Sequence, residues 1–129
     1  MTDRTEPRIL VVEDEYWLAE DIRRALAEAG RAVVGPFATV AEAMESLENT
    51  SLGGAILDVN LRGEEVFPLA SELRRRHIPY AFTTGYGAEV LPAEHRDVPR
   101  WQKPFEPAEM VSSFLAQTVL SPAPDDLVS

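Results

Sequence analysis

Short apolar, β-branched runs alternate along this chain with stretches whose apolar residues recur at helical spacing. No other feature constrains the fold as strongly. Arg8-Ile-Leu-Val-Val12 reads as a buried strand. Beyond Glu13-Asp14-Glu15, the residues Leu18, Ile22, Ala25, Leu26 and Ala29 fall on one face of a helix, with Gly30 as its stop. Ala32 to Gly35 is a second strand, and Thr39-Val-Ala-Glu42 is a capping box opening a helix with Val40, Ala43, Met44 and Leu47 inward. Gly53-Gly54 breaks the chain before a third strand, Ala55-Ile-Leu57, that ends on Asp58. Val66, Leu69, Ala70 and Leu73 line a third helix closing on Arg74-Arg75-Arg76, cations suited to a helix C-terminus. Tyr80 to Thr83 is a fourth strand and Arg100-Trp-Gln102 a short fifth. Between them Gly85, Gly87 and Pro92 leave only a weak helical signal within residues 88–96. Pro107 opens a last helix with Val111, Phe114, Leu115 and Thr118 inward.

Strand–helix alternation through five units implies an α/β fold, a doubly wound parallel sheet with helices on both faces. The chain has 129 residues, the length of one domain, and buries roughly two-thirds of its unfolded surface. Residues 1–7 are expected to be a flexible N-terminus, 8–120 the domain, and 121–129 a disordered tail. Twelve Lys and Arg against 22 Asp and Glu leave a net charge of −10, which repels phosphate backbones and argues against a nucleic-acid partner. The absence of cysteine removes disulfides and thiolate chemistry. No apolar run reaches the ~18 residues of a membrane span, and Met1 to Pro7 is unlike a signal peptide. A cytoplasmic protein without a membrane partner is expected.

Such a sheet binds ligands beyond the carboxyl ends of its strands. Those ends carry Glu13-Asp14, Asp58, Thr84 and Lys103. Singly, each has an ordinary structural explanation as a helix cap, a turn residue or a solvated charge. Together they are harder to dismiss, because three carboxylates at one mouth repel one another unless a cation neutralises them. The all-oxygen set suits Mg²⁺. A carboxylate, a divalent cation, a hydroxyl and a lysine make up the equipment for phosphoryl transfer.

Val11-Val-Glu-Asp-Glu15, Leu57-Asp-Val-Asn-Leu61, Thr83-Thr-Gly85 and Lys103-Pro-Phe105 resemble the four signature segments of response-regulator receiver domains, a resemblance running from about Arg8 to Leu120. It implies a flavodoxin-like sheet of order 2-1-3-4-5. It also implies that Asp58 is the phosphoacceptor, that Asp14 binds Mg²⁺ directly and Glu13 through water, and that Asn60 adds its backbone carbonyl. Thr84 becomes the hydroxyl that closes on the phosphoryl group, Lys103 its ion-pairing lysine, and Lys103-Pro104 a cis peptide bond. The implied activity is that of a stand-alone phosphorylatable switch or relay intermediate, not a turnover enzyme. Its implied partners are a sensor histidine kinase or phosphotransfer protein and an unnamed downstream protein. Phe82-Thr-Thr-Gly-Tyr-Gly87 is further similar to the "FAT GUY" single-domain receivers of alphaproteobacteria, which implies a kinase of the HWE type.

Two departures from the pattern stand out. Arg100 occupies the position where most receivers carry Tyr or Phe, with Trp101 beside it, so the usual aromatic switch is absent or replaced. The glycines and Pro92 also weaken the fourth helix. The alternative function is an Mg-dependent phosphohydrolase with an Asp nucleophile, but that chemistry wants an acid two residues past Asp58, where Asn60 stands. A flavodoxin-like cofactor binder would want a phosphate loop where Glu13-Asp14-Glu15 would repel the phosphate. His77 and Arg74-Arg75-Arg76 read as solvated helix-end cations, and Trp17 as a packing residue.

Overall fold

The structure is a computed structural model that describes residues 8–85 and 91–120. The expected N-terminal arm, the C-terminal tail and Tyr86-Gly87 lie outside the described residues. Five parallel strands, β1 (Arg8–Val12), β2 (Ala32–Phe37), β3 (Gly54–Asp58), β4 (Tyr80–Thr84) and β5 (Arg100–Gln102), form one sheet in the order β2-β1-β3-β4-β5. The helices are α1 (Tyr16–Glu28), α2 (Val40–Ser46), α3 (Phe67–Arg75) and α4 (Pro107–Leu120).

Strand side chains point alternately to two faces, so a strand covered on both sides must be apolar throughout. Ile9, Val11, Ile56 and Ala81 enter one core with Ile22 and Leu26 of α1 and Met110, Val111 and Phe114 of α4. Leu10, Val12, Ala55, Leu57 and Phe82 enter the other with Ala43 of α2 and Leu69, Ala70 and Leu73 of α3. The anticipated capping box forms at α2, where Thr39 Oγ1 accepts from the Glu42 N–H at 3.2 Å.

Three expectations need correction. β2 runs on to Phe37, because Pro36 needs no ladder partner on an edge strand. Ala29 is exposed, since α1 ends at Glu28. Trp17 does not pack: it is 75% exposed beside Tyr16, itself 69% exposed, in an edge-to-face ring pair. Where a fourth crossover helix was only weakly signalled, the described residues hold a 3-10 turn, Ala93–His95.

That turn carries a fully buried histidine. The His95 ring stacks on Phe67 and meets Tyr80 and Phe82 edge-on. Arg74 Nε donates to Tyr80 Oη at 3.0 Å, and Tyr80 Oη lies 2.6 Å from His95 Nδ1. With the phenol oxygen already accepting from Arg74, its own proton goes to Nδ1, which places the histidine proton on Nε2. Nε2 faces Glu94 Oε2 at 3.3 Å and Ser71 Oγ at 3.4 Å. The chain of contacts ties the turn to α3 and β4.

Candidate functional site

Four parallel strands deliver their following residues to one edge of the sheet. Glu13 and Asp14 follow β1, Asp58 ends β3, Thr84 ends β4, and Lys103 follows β5. The backbone there is held across strands. The Glu13 N–H donates to the Phe37 carbonyl at 2.9 Å, the Val59 N–H to Thr83 at 2.9 Å, and the Lys103 N–H to Thr84 at 2.7 Å. Lys103-Pro104 is cis, as is Gly35-Pro36.

Glu13 and Asp58 are buried, Thr84 is 5% exposed, and Asp14 is half-buried. Lys103 Nζ reaches between two strands, 3.2 Å from Glu13 Oε2 and 3.3 Å from Asp58 Oδ2. Asp58 Oδ1 accepts from the Asn60 N–H at 2.9 Å, and Asp14 Oδ2 from the Arg62 N–H at 3.0 Å. Burial, and then the charge of Asp58, push the Glu13 carboxyl up to about 8, against the downward pull of Lys103. Burial would lower Lys103, but Asp58 and Glu13 outweigh it and raise its pKa, so the ammonium stays charged.

One lysine leaves the cluster short of positive charge. Glu13, Asp14 and Asp58 each offer an oxygen within 4.8 Å of the others. Glu13 Oε1 is buried without a hydrogen-bond partner, and such an orphan is costly unless something satisfies it. A hard divalent cation fits this donor set. Of the residues singled out from sequence, the structure brings Glu13, Asp14, Asp58 and Lys103 into one cluster, with Asn60 tied to Asp58 through its N–H. Thr84 ends the adjoining strand, its carbonyl bound to the Lys103 backbone.

Sequence reading missed two contributors. The Asn60 side chain accepts from the Gly85 N–H at 2.6 Å, and nothing in the local sequence signals that contact. Arg62 lies with its Nε 3.6 Å from Asp14 Oδ2, and only its loop position could have pointed to it. Arg100 is exposed and Trp101 half-buried against the α1/α4 core, so no guanidinium occupies an apolar slot on β5.

A receiver fold with this mouth is what known proteins share with the chain. The family model for the response regulator receiver domain matches residues 9–114, and the chain belongs to that family. Receiver domains are phosphorylation-dependent switches of two-component signalling rather than turnover enzymes, they bind Mg²⁺ at an acidic pocket, and they interact with histidine kinases or phosphotransfer proteins. Among solved structures, SdrG from Sphingomonas melonis Fr1 is 38% identical, with a TM-score of 0.77 over 92% of this chain and 99% of that one. The BeF3-activated conformation of SdrG, from Pseudomonas melonis Fr1, aligns with a TM-score of 0.72 at 38% identity over 87% of this chain and 96% of that one. The regulatory protein VanR of Enterococcus faecium is 28% identical over 114 residues, 85% of this chain. The chain spans about half the length of that curated relative, 49%. Among the described residues, no helix is long and apolar enough to cross a membrane.

Proposed function

We propose that the chain acts as a stand-alone receiver that takes a phosphoryl group onto Asp58 from a phosphohistidine of a kinase or phosphotransfer protein. The observation that carries this reading is the buried Asp58 carboxylate at the β3 end, 3.3 Å from Lys103 Nζ and with an oxygen within 4.8 Å of carboxylate oxygens of Glu13 and Asp14. An Asp58 oxygen attacks phosphorus, the phosphorus–nitrogen bond of the donor breaks, and the imidazole nitrogen leaves with the electron pair and takes up a proton. The Lys103 ammonium, already paired with Asp58, neutralises phosphoryl oxygens as charge builds. The Thr84 hydroxyl donates to one of them. Glu13, Asp14, Asp58 and the Asn60 carbonyl would hold Mg²⁺, which supplies Lewis-acid neutralisation of the transferring group.

The 38% identity to SdrG supports a receiver of the same kind, and the existence of a BeF3-activated conformation of SdrG supports a switch between conformations. Phe82-Thr-Thr-Gly-Tyr-Gly87 supports membership of the FAT GUY receivers, an HWE-type kinase as donor and a cytoplasmic site of action.

Incubation with a small phosphodonor and Mg²⁺, followed by intact-mass analysis, tests the reading. One phosphoryl group per chain, labile to hydroxylamine and missing in Asp58→Asn, is expected. Retention of the label in Asp58→Asn, or multiple-turnover hydrolysis of a phosphomonoester, overturns it.

A further inference from the structure

The peptide unit joining Thr84 to Gly85 is gripped at both of its polar atoms, and each grip belongs to a residue of the mouth. Its carbonyl, on Thr84, accepts from the Lys103 backbone N–H at 2.7 Å. Its N–H, on Gly85, donates to the Asn60 carboxamide oxygen at 2.6 Å. Asn60 is itself anchored, through its backbone N–H at 2.9 Å, to Asp58 Oδ1. The fit at residue 85 is close, since a Cβ there would stand 3.2 Å from Asn60 Oδ1, tighter than ordinary contact.

Rotation of that peptide reorients the residue on either side of it. Thr84 carries the hydroxyl, and Gly85 opens the segment that crosses over to β5. A peptide bonded only at its carbonyl can pivot about that bond, whereas one bonded at both atoms cannot turn without breaking one of them. The side chain of Asn60 is the part of this clamp contributed from the β3 end of the mouth, and its own N–H is bound to Asp58.

We propose that Asn60 is a positioning residue: its carboxamide oxygen holds the Gly85 N–H and thereby sets the presentation of the Thr84 hydroxyl to the group on Asp58. This role is separate from the backbone carbonyl of Asn60, which any residue at the position supplies. The kinetic consequence rests on Asp58 being phosphorylated; the clamp itself does not.

The test has two arms. In the unphosphorylated protein, amide exchange at Gly85 followed by NMR is expected to speed up about fivefold in Asn60→Ala, the loss of one modest hydrogen bond. Asn60→Asp keeps an acceptor oxygen at the same reach and should stay within about twofold of the wild type on that scale. Asn60 is exposed, so neither change threatens the core. Unaltered exchange in Asn60→Ala, or equal loss in Asn60→Asp, overturns the clamp whether or not the protein is a phosphoacceptor. The second arm is a double-mutant cycle on the rate of phosphoryl gain. Asn60→Ala should slow it about fivefold in the wild-type background and leave it unchanged in Thr84→Ala, because the effect passes through that hydroxyl. Equal slowing in both backgrounds refutes positioning. Absence of any phosphoryl gain in the wild type strikes the proposed function instead and leaves the exchange result standing.

Discussion

Replacing His95 with Phe should cost stability at pH 8 and cost progressively less as the pH falls. The ring stays among Phe67, Tyr80 and Phe82, and the extra ring atom of a phenyl adds a packing cost that does not vary with pH. What disappears is the acceptor for the Tyr80 O–H and the donor facing Glu94 and Ser71. At about 1 kcal/mol net for each of two hydrogen bonds, the variant should be about 2 kcal/mol less stable, roughly 8 °C in melting temperature for a domain of this size. The pH dependence follows from the environment of the ring. Burial first, and then Arg74, hold the His95 pKa below its ordinary value of 6.5, against the opposing pull of Glu94 and Asp97. A depressed histidine contributes its stability above the unfolded pKa and loses it as the pH falls below about 6.5, by at most about 1.4 kcal/mol per pH unit for one proton. Urea melts of both proteins from pH 8 to 5.5 measure this. Glu13 titrates in the same range with the opposite sign, so the informative quantity is the difference between the two proteins, in which Glu13 cancels. A gap that is constant across the range, or that widens toward acid, refutes the neutral Nε2–H assignment.

Mg²⁺ should raise the melting temperature, by about 1.4 kcal/mol of stability at ~10 Kd. Because the Glu13 carboxyl holds a proton up to about 8, the metal must displace it, and apparent affinity should climb by up to roughly tenfold per pH unit between pH 6.5 and 8. Thermal melts titrated with Mg²⁺ at several pH values check this, and a flat affinity contradicts it. Gly54→Ala should lose about 1–3 kcal/mol in a chemical melt. The new Cβ would sit 2.9 Å from Cζ of the buried Phe114 ring, which has no room to retreat; an unchanged midpoint refutes that packing argument.

Much of the fold was legible because a sheet covered on both faces forces apolar runs, and its helices repeat their inward residues at a fixed period. Leu69, Ala70 and Leu73 were assigned inward from spacing alone and are completely buried. The mouth was legible for a related reason: parallel strands send every following residue to the same edge, so Glu13, Asp14, Asp58 and Lys103 had to converge. Tertiary effects were not legible. Trp17, one turn into α1, read as a packing residue, yet it is exposed beside Tyr16. Residues 88–96 carry only a weak helical signal, so nothing flagged a histidine whose burial depends on rings from α3 and β4. The Asn60 side-chain contact is to the backbone of Gly85, just past β4 and distant in sequence, and residue type alone does not encode it.

On the proposed function one carboxylate, Asp58, becomes an acyl phosphate. Reduction of the phosphorylated protein with borohydride converts an aspartyl phosphate to homoserine, and tandem mass spectrometry then locates it. A single modified residue at position 58 is expected, dependent on phosphodonor and Mg²⁺, with Glu13 and Asp14 untouched. Modification at either of those residues, or none anywhere in a chain that has gained phosphate, contradicts it.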